Sequence, residues 1–144
     1  MPIKDVYHDV VKNALIKDGW TITDDPLYLN LEEIVTLYVD LGAEKLFSAQ
    51  KGNRQIAVEV KSFIQVSVIY ELHQAVGQFI SYRIALQKHS PTRILYLAIP
   101  DIIYDGIFST RFGQEIIAET HLKILVYDVQ EEKIVQWIEQ SNTV

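Results

Sequence analysis

The stretch Gln55-Ile56-Ala57-Val58-Glu59-Val60-Lys61-Ser62-Phe63 restricts the possible folds of this chain more than any other. It reads as a β-strand built for burial. Side chains alternate across a strand, so Ile56, Val58 and Val60 share one face while Ala57, Glu59 and Lys61 share the other. The Cβ atoms of Glu59 and Lys61 then lie about 6 to 7 Å apart, close enough for one metal-bound water to touch both side chains. Charges buried on such a strand must be paired or must hold a cation. Upstream, Tyr38-Val39-Asp40-Leu41-Gly42-Ala43-Glu44 reads as a second apolar strand that carries acids. The turn-like Gln50-Lys51-Gly52-Asn53 joins the two, and together they describe a metal site on a hairpin.

At 144 residues and 49% hydrophobic content, the chain reads as one domain over 1–144, able to bury roughly two thirds of its unfolded surface. With no cysteine, thiolate zinc sites, iron–sulfur clusters and disulfides are excluded, which suits a reducing cytoplasm. The opening Met1-Pro2-Ile3-Lys4-Asp5 has no apolar core, so no secretory signal is expected, and no apolar run is long enough to span a membrane. Net charge is -6, which argues against nucleic acid as a partner. The distribution qualifies this. Between Lys45 and Arg93 seven bases (Lys45, Lys51, Arg54, Lys61, Arg83, Lys88, Arg93) face two acids (Glu59, Glu71), a local excess of +5 around the candidate site.

Asp5 can cap a helix running to about Asp18, with Val6, Val10, Ala14 and Leu15 inward and Gly19 as terminator. Trp20 to Thr23 extends, Asp24-Asp25-Pro26 turns, and Leu27 to Leu31 alternates. Strands at Leu37 to Gln50 and Arg54 to Phe63 form the hairpin. Ser67 caps a long helix from about Val68 to His89. A strand at Ile94 to Ile99, helical material between Asp101 and Thr120, and a closing hairpin of Leu122 to Asp128 with Ile134 to Ile138 follow. The expected fold is α/β (α+β): a central mixed sheet flanked by helices. On the long helix, Leu72, Ala75, Val76, Phe79, Ile80 and Leu86 make the apolar stripe, with Gly77 allowing close approach. Glu71, Gln74, Gln78 and Tyr82 line one polar edge. Gln74 reads as solvated, whereas Gln78 and Tyr82 are placed to reach the charged face of the sheet.

The hairpin leaves two candidates for the second acid. With Lys51-Gly52 as a two-residue turn, Glu44 faces Glu59 and Asp40 faces Phe63, about 13 Å farther along. A bulge at Gly42 would bring Asp40 back into reach. A slip of one residue would move both acids to the wrong face. No phosphate-binding glycine loop and no nucleophile elbow is present, and His73, His89 and His121 show no ligand spacing.

An acid-bearing strand, then a Glu-x-Lys triplet ending an apolar strand, then a helix with Gln and Tyr resembles the PD-(D/E)XK nuclease superfamily. That resemblance implies a restriction-endonuclease-like core and Mg²⁺ (or Mn²⁺) held by two carboxylates, with Lys61 assisting the attacking water and Gln78 orienting phosphate or water. It ranks Asp40 ahead of Glu44 as partner to Glu59. In several members a helix-borne Glu joins the metal; here His8 and Asp9 hold that place, and neither is a Glu. Nearly the whole chain also resembles the XisH-type fdxN element excision controlling factors of cyanobacteria. The resemblance rests on Asp5-Val6-Tyr7-His8-Asp9, Lys12-Asn13-Ala14-Leu15-Ile16-Lys17-Asp18-Gly19-Trp20, Tyr38 to Glu44, Ile56 to Phe63, Gly77-Gln78 with Tyr82-Arg83, Leu95-Tyr96-Leu97-Ala98 and Ile134 to Ile138. Gln65-Val66-Ser67 departs from the Gly/Pro-containing linker expected before the long helix. This family implies programmed DNA rearrangement in heterocysts, with DNA, a site-specific recombinase and a small XisI-type companion as partners. Two functions follow from it: a metal-dependent endonuclease, or a catalytically silent accessory that docks its companion. A homo-oligomer joining basic patches is a further expectation.

Overall fold

The computed structural model describes residues 6–28, 46–64 and 67–139. Asp5, the segment 29–45 with Asp40, Gly42 and Glu44, the pair Gln65-Val66 and the residues from 140 onward lie outside the described residues, and so do the expectations placed on them.

Helix α1 spans His8–Lys17 and buries His8, Val11, Ala14 and Leu15. Its inward stripe is therefore rotated from the one expected: Val6 is exposed and Val10 only half-buried. The helix stops as the sequence implies. Gly19 takes φ +94°, its N–H bonds to Ile16 O and that of Trp20 to Leu15 O, each at 3.0 Å. These two bonds satisfy carbonyls that the last turn would leave bare.

Strands β1 (Thr21–Asp24), β2 (Leu46–Lys51) and β3 (Arg54–Val60) form an antiparallel meander. Helix α2 (Val68–His89) leads to β4 (Arg93–Pro100), parallel to β3. A short helix α3 (Asp101–Asp105), a 3₁₀ turn (Ile107–Ser109) and α4 (Arg111–Thr120) lead to β5 (Ile124–Asp128), parallel to β4. Among the described residues, antiparallel β6 (Lys133–Ile138) completes a six-stranded sheet in which each of these strands lies beside its sequence neighbours. Right-handed crossovers that add strands in one direction must place their helices on one face. Accordingly, residues of α2 (Leu72, Phe79, Leu86), the 3₁₀ turn (Phe108) and α4 (Ile117) join one core cluster, and α1 covers the opposite face with Val11 and Leu15.

Ser67 caps α2, its Oγ accepting from Tyr70 N at 3.1 Å. The inner face of α2 buries Leu72, Ala75, Phe79, Tyr82, Ala85 and Leu86. Three expectations fail on this helix. Tyr82 belongs to the buried stripe, not to a polar edge; Ile80 is only half-buried and stands outside the core cluster; and Gly77 points outward, with no atom of the described residues within 4 Å of the place a Cβ would take. Gln74 is exposed, donating to Tyr70 Oη at 2.9 Å.

Candidate functional site

The hairpin turns at Gly52-Asn53, with Gly52 at φ +60° and Lys51 paired with Arg54. A glycine with positive φ at the first turn position matches strand twist in a two-residue loop. The ladder is thus displaced from the expected register, and the partner of Glu59 is Leu46, not Glu44. A shift by an even number of residues preserves the faces. Ala57 and Leu46 pack under α2, whereas Ile56, Val58 and Val60 face α1.

Glu59 is fully buried on the α2 side of β3, and Lys61, also buried, stands beside it with Nζ 3.9 Å from Oε2. At that distance the contact is an ion pair and not a hydrogen bond, so a third polar group can lie against both. Backbone bonds hold Lys61 in place: its N–H bonds to Ala98 O at 2.9 Å, and its carbonyl accepts from Tyr127 Oη at 3.3 Å. Two residues later Phe63 adopts φ 56° while buried against Phe108, ring centroids 6.1 Å apart. A left-handed aromatic residue costs on the order of 1 kcal/mol or more, a strain that surrounding packing must hold in place.

Of the other residues singled out, Gln78 and Tyr82 lie on α2, the helix that covers the Glu59 face. Gln78 Oε1 is buried with no hydrogen-bond partner among the described residues. His8 lies on the other side of the sheet: its ring meets Phe47 edge-on at 5.3 Å, and Nε2 is 2.8 Å from Asp25 Oδ1. Asp9 is exposed. Asp40 and Glu44 lie outside the described residues, among which no group of three or more His, Cys, Asp or Glu converges. Of the bases singled out, Lys61 stands beside Glu59, while three others engage other partners. Arg54 stacks over Trp20 and Trp137 at 5.3 and 5.8 Å, about 17 Å along β3 from Glu59. Arg83 donates to Thr120 O at 2.6 Å, and Arg93 reaches Asp24 at 3.3 Å.

Sequence reading missed Asp25, whose carboxylate joins His8 to Lys12 Nζ, 2.5 Å from Oδ2. No periodicity marks a turn residue for this role; only the fold brings it over α1. Burial alone would raise the Asp25 carboxyl, but the Lys12 and His8 contacts outweigh it and hold the group below its ordinary value of 3.8. A depressed carboxyl adds stability that is present above the unfolded value and is lost as pH falls through the folded one. Asp25→Asn should therefore cost about 1–2 kcal/mol at neutral pH and flatten the acid limb below pH 3.8, measured by urea melts across pH. An unchanged acid limb would remove Asp25 from this role.

The fold and the site define an α+β protein in which a helix-covered central strand carries a buried carboxylate–ammonium pair. The chain belongs to the XisH family: the model for XisH protein matches residues 1–135. It is similar to the crystal structure of an XisH family protein from Nostoc punctiforme, with 48% identity and a TM-score of 0.82 over 93% of this chain and 99% of that one. It is equally similar to a fdxN element excision controlling factor protein from Anabaena variabilis, with 49% identity and a TM-score of 0.82 over 92% and 98%. Among curated proteins no match is found. No helix among the described residues is long and apolar enough to cross a membrane.

Proposed function

We propose that this protein is an accessory of site-specific DNA excision, built on a PD-(D/E)XK nuclease-type scaffold and able to cut or nick DNA with Mg²⁺ or Mn²⁺. The observation that carries the reading is the pair of Glu59 and Lys61, buried side by side on a central strand at 3.9 Å. A buried ion pair contributes little net stability, so the demands of folding do not by themselves call for one here. Membership of the XisH family, and the similarity to an excision controlling factor, support the excision role.

The donor set suits a hard divalent cation, which takes oxygen ligands and needs only one or two carboxylates. Glu59 would hold it together with Asp40 or, in its place, Glu44. When bound, such a cation supplies Lewis-acid stabilisation of phosphoryl oxygen charge. Lys61 directs its ammonium at the same charge, and its effect is magnified because water is excluded. The Gln78 amide adds a neutral donor on the helix above. The strain held at Phe63 fixes the chain direction just beyond Lys61, as pre-organised sites require.

Relaxation of supercoiled plasmid tests the reading. Wild type should nick in Mg²⁺ or Mn²⁺ and stop on chelation, and Glu59→Gln should lower the rate by about 100-fold or more. Mn²⁺ titration calorimetry of the same pair should show binding lost. If wild type neither cuts nor binds Mn²⁺ while still docking an XisI-type companion or the recombinase, the protein is the catalytically silent accessory instead.

A further inference from the structure

Helix α2 has a second face. Turned away from the sheet, it presents Ile69, His73, Gly77, Ile80 and Ile84, spaced by three and four residues and so aligned in one stripe. Ile69 is 46% and Ile84 50% exposed, with Tyr70 beside them at 59%. The stripe contains no charged side chain between Ile69 and Ile84. The acid and base of that stretch, Glu71 and Arg83, lie at its flanks, with Arg83 tied to Thr120 and His121 carbonyls.

Gly77 lies at the middle of this stripe. Glycine weakens a helix interior relative to alanine, and nothing among the described residues accounts for it, since none of their atoms lies within 4 Å of an added Cβ. Close approach from outside does account for it.

We propose that a second copy of this chain docks on this face, α2 antiparallel to α2, about a two-fold axis beside Gly77. The stripe is self-complementary about that point. Across such an axis Ile69 of one copy meets Ile84 of the other, His73 meets Ile80, and the two Gly77 positions let the backbones approach, as an isologous contact requires. Because the face is uncharged, pairing buries no ion although each chain carries a net charge of -6. About an axis beside Gly77 the two helices overlap from Val68 to Ala85, about 27 Å of a cylinder about 11 Å across, so burying the outward third to half of that length removes roughly 400 Å² per copy. About 800 Å² in total lies below the usual range for stable association, so a weak, micromolar dimer is expected. The proposal is independent of the metal reading, and no measurement below depends on DNA cutting.

Sedimentation equilibrium of the full chain from about 1 to about 200 μM should show a monomer–dimer equilibrium. Ile84→Lys and Gly77→Gln should each weaken it by at least about tenfold. Gly77→Gln also improves the helix, so an intact or raised thermal midpoint would show that the loss is not unfolding. Since the chain has no cysteine, Gly77→Cys should oxidise to a linked dimer, whereas Ile102→Cys, at a site 75% exposed on α3, should not. A wild type that stays monomeric throughout, a dimer that survives both substitutions, or equal linking at both cysteines would overturn the proposal. So would a different protein held on this face by a chain that does not self-associate.

Discussion

Gly113→Ala will destabilise the protein by roughly 3 kcal/mol or more, lowering the thermal midpoint by about 10 °C. Gly113 is the third residue of α4, where the helix crosses the 3₁₀ turn that introduces it. A Cβ there would lie 2.2 Å from Ile107 O, 2.6 Å from Phe108 Cα and 2.8 Å from Phe108 C. All three are backbone atoms, so no rotamer change relieves the clash. The turn cannot move outward either, because Phe108 is fully buried, stacked on Tyr104 and edge-on to Phe63. Sliding α4 away would break the cap, in which Thr110 Oγ1 accepts from Gly113 N at 3.0 Å. Gly52→Ala provides the comparison. It meets open space but must hold φ +60°, which costs only about 1 kcal/mol. A Gly113→Ala protein melting within about 2 °C of wild type would show that α4 is not seated as described.

Lys61→Met is expected to cost about 3 kcal/mol, because it removes the ammonium beside a carboxylate that has no access to water. The double substitution Glu59→Gln with Lys61→Met should recover most of that loss and melt within about 1 kcal/mol of wild type. The coupling follows from desolvation: a buried charge stripped of its counter-ion is expensive, whereas two neutral side chains of similar shape are not. Recovery in the double variant, accompanied by loss of plasmid nicking, would mean that the pair serves chemistry and not the fold. If the double variant is instead as unstable as Lys61→Met, the pair is structural, and the functional proposal loses its main support. Urea melts of the four proteins at one pH give the cycle.

Much of the fold was legible because its signals are local. Ser67 and the 3.6-residue periodicity after it marked the bounds of α2, Gly19 ended α1, and alternation located β3 and the β5–β6 hairpin. The faces of β3 were legible for the same reason, since strand period 2 admits no other assignment of Ile56, Val58 and Val60 against Ala57, Glu59 and Lys61. The pairing of Glu59 and Lys61 followed from spacing alone. Errors arose where a choice depended on distant atoms. Gln50-Lys51-Gly52-Asn53 suits a turn at either of two places, and the energy difference between them lies in the packing of both strands. Tyr82 reads as a polar edge residue until helix rotation is set by what lies beneath it. Asp25 has no signature at all, being a turn residue that meets α1 only in the folded chain.

Composition and pattern by themselves determined an α+β chain with a buried acid and base on one strand face, because secondary-structure periods and burial preferences are properties of short segments. The tertiary structure alone decided the hairpin register, the placing of His8 opposite Glu59 across the sheet, the partners of Arg54, Arg83 and Arg93, and the outward turn of Gly77. Each of these depends on which surfaces meet, and that depends on close packing among residues far apart in sequence.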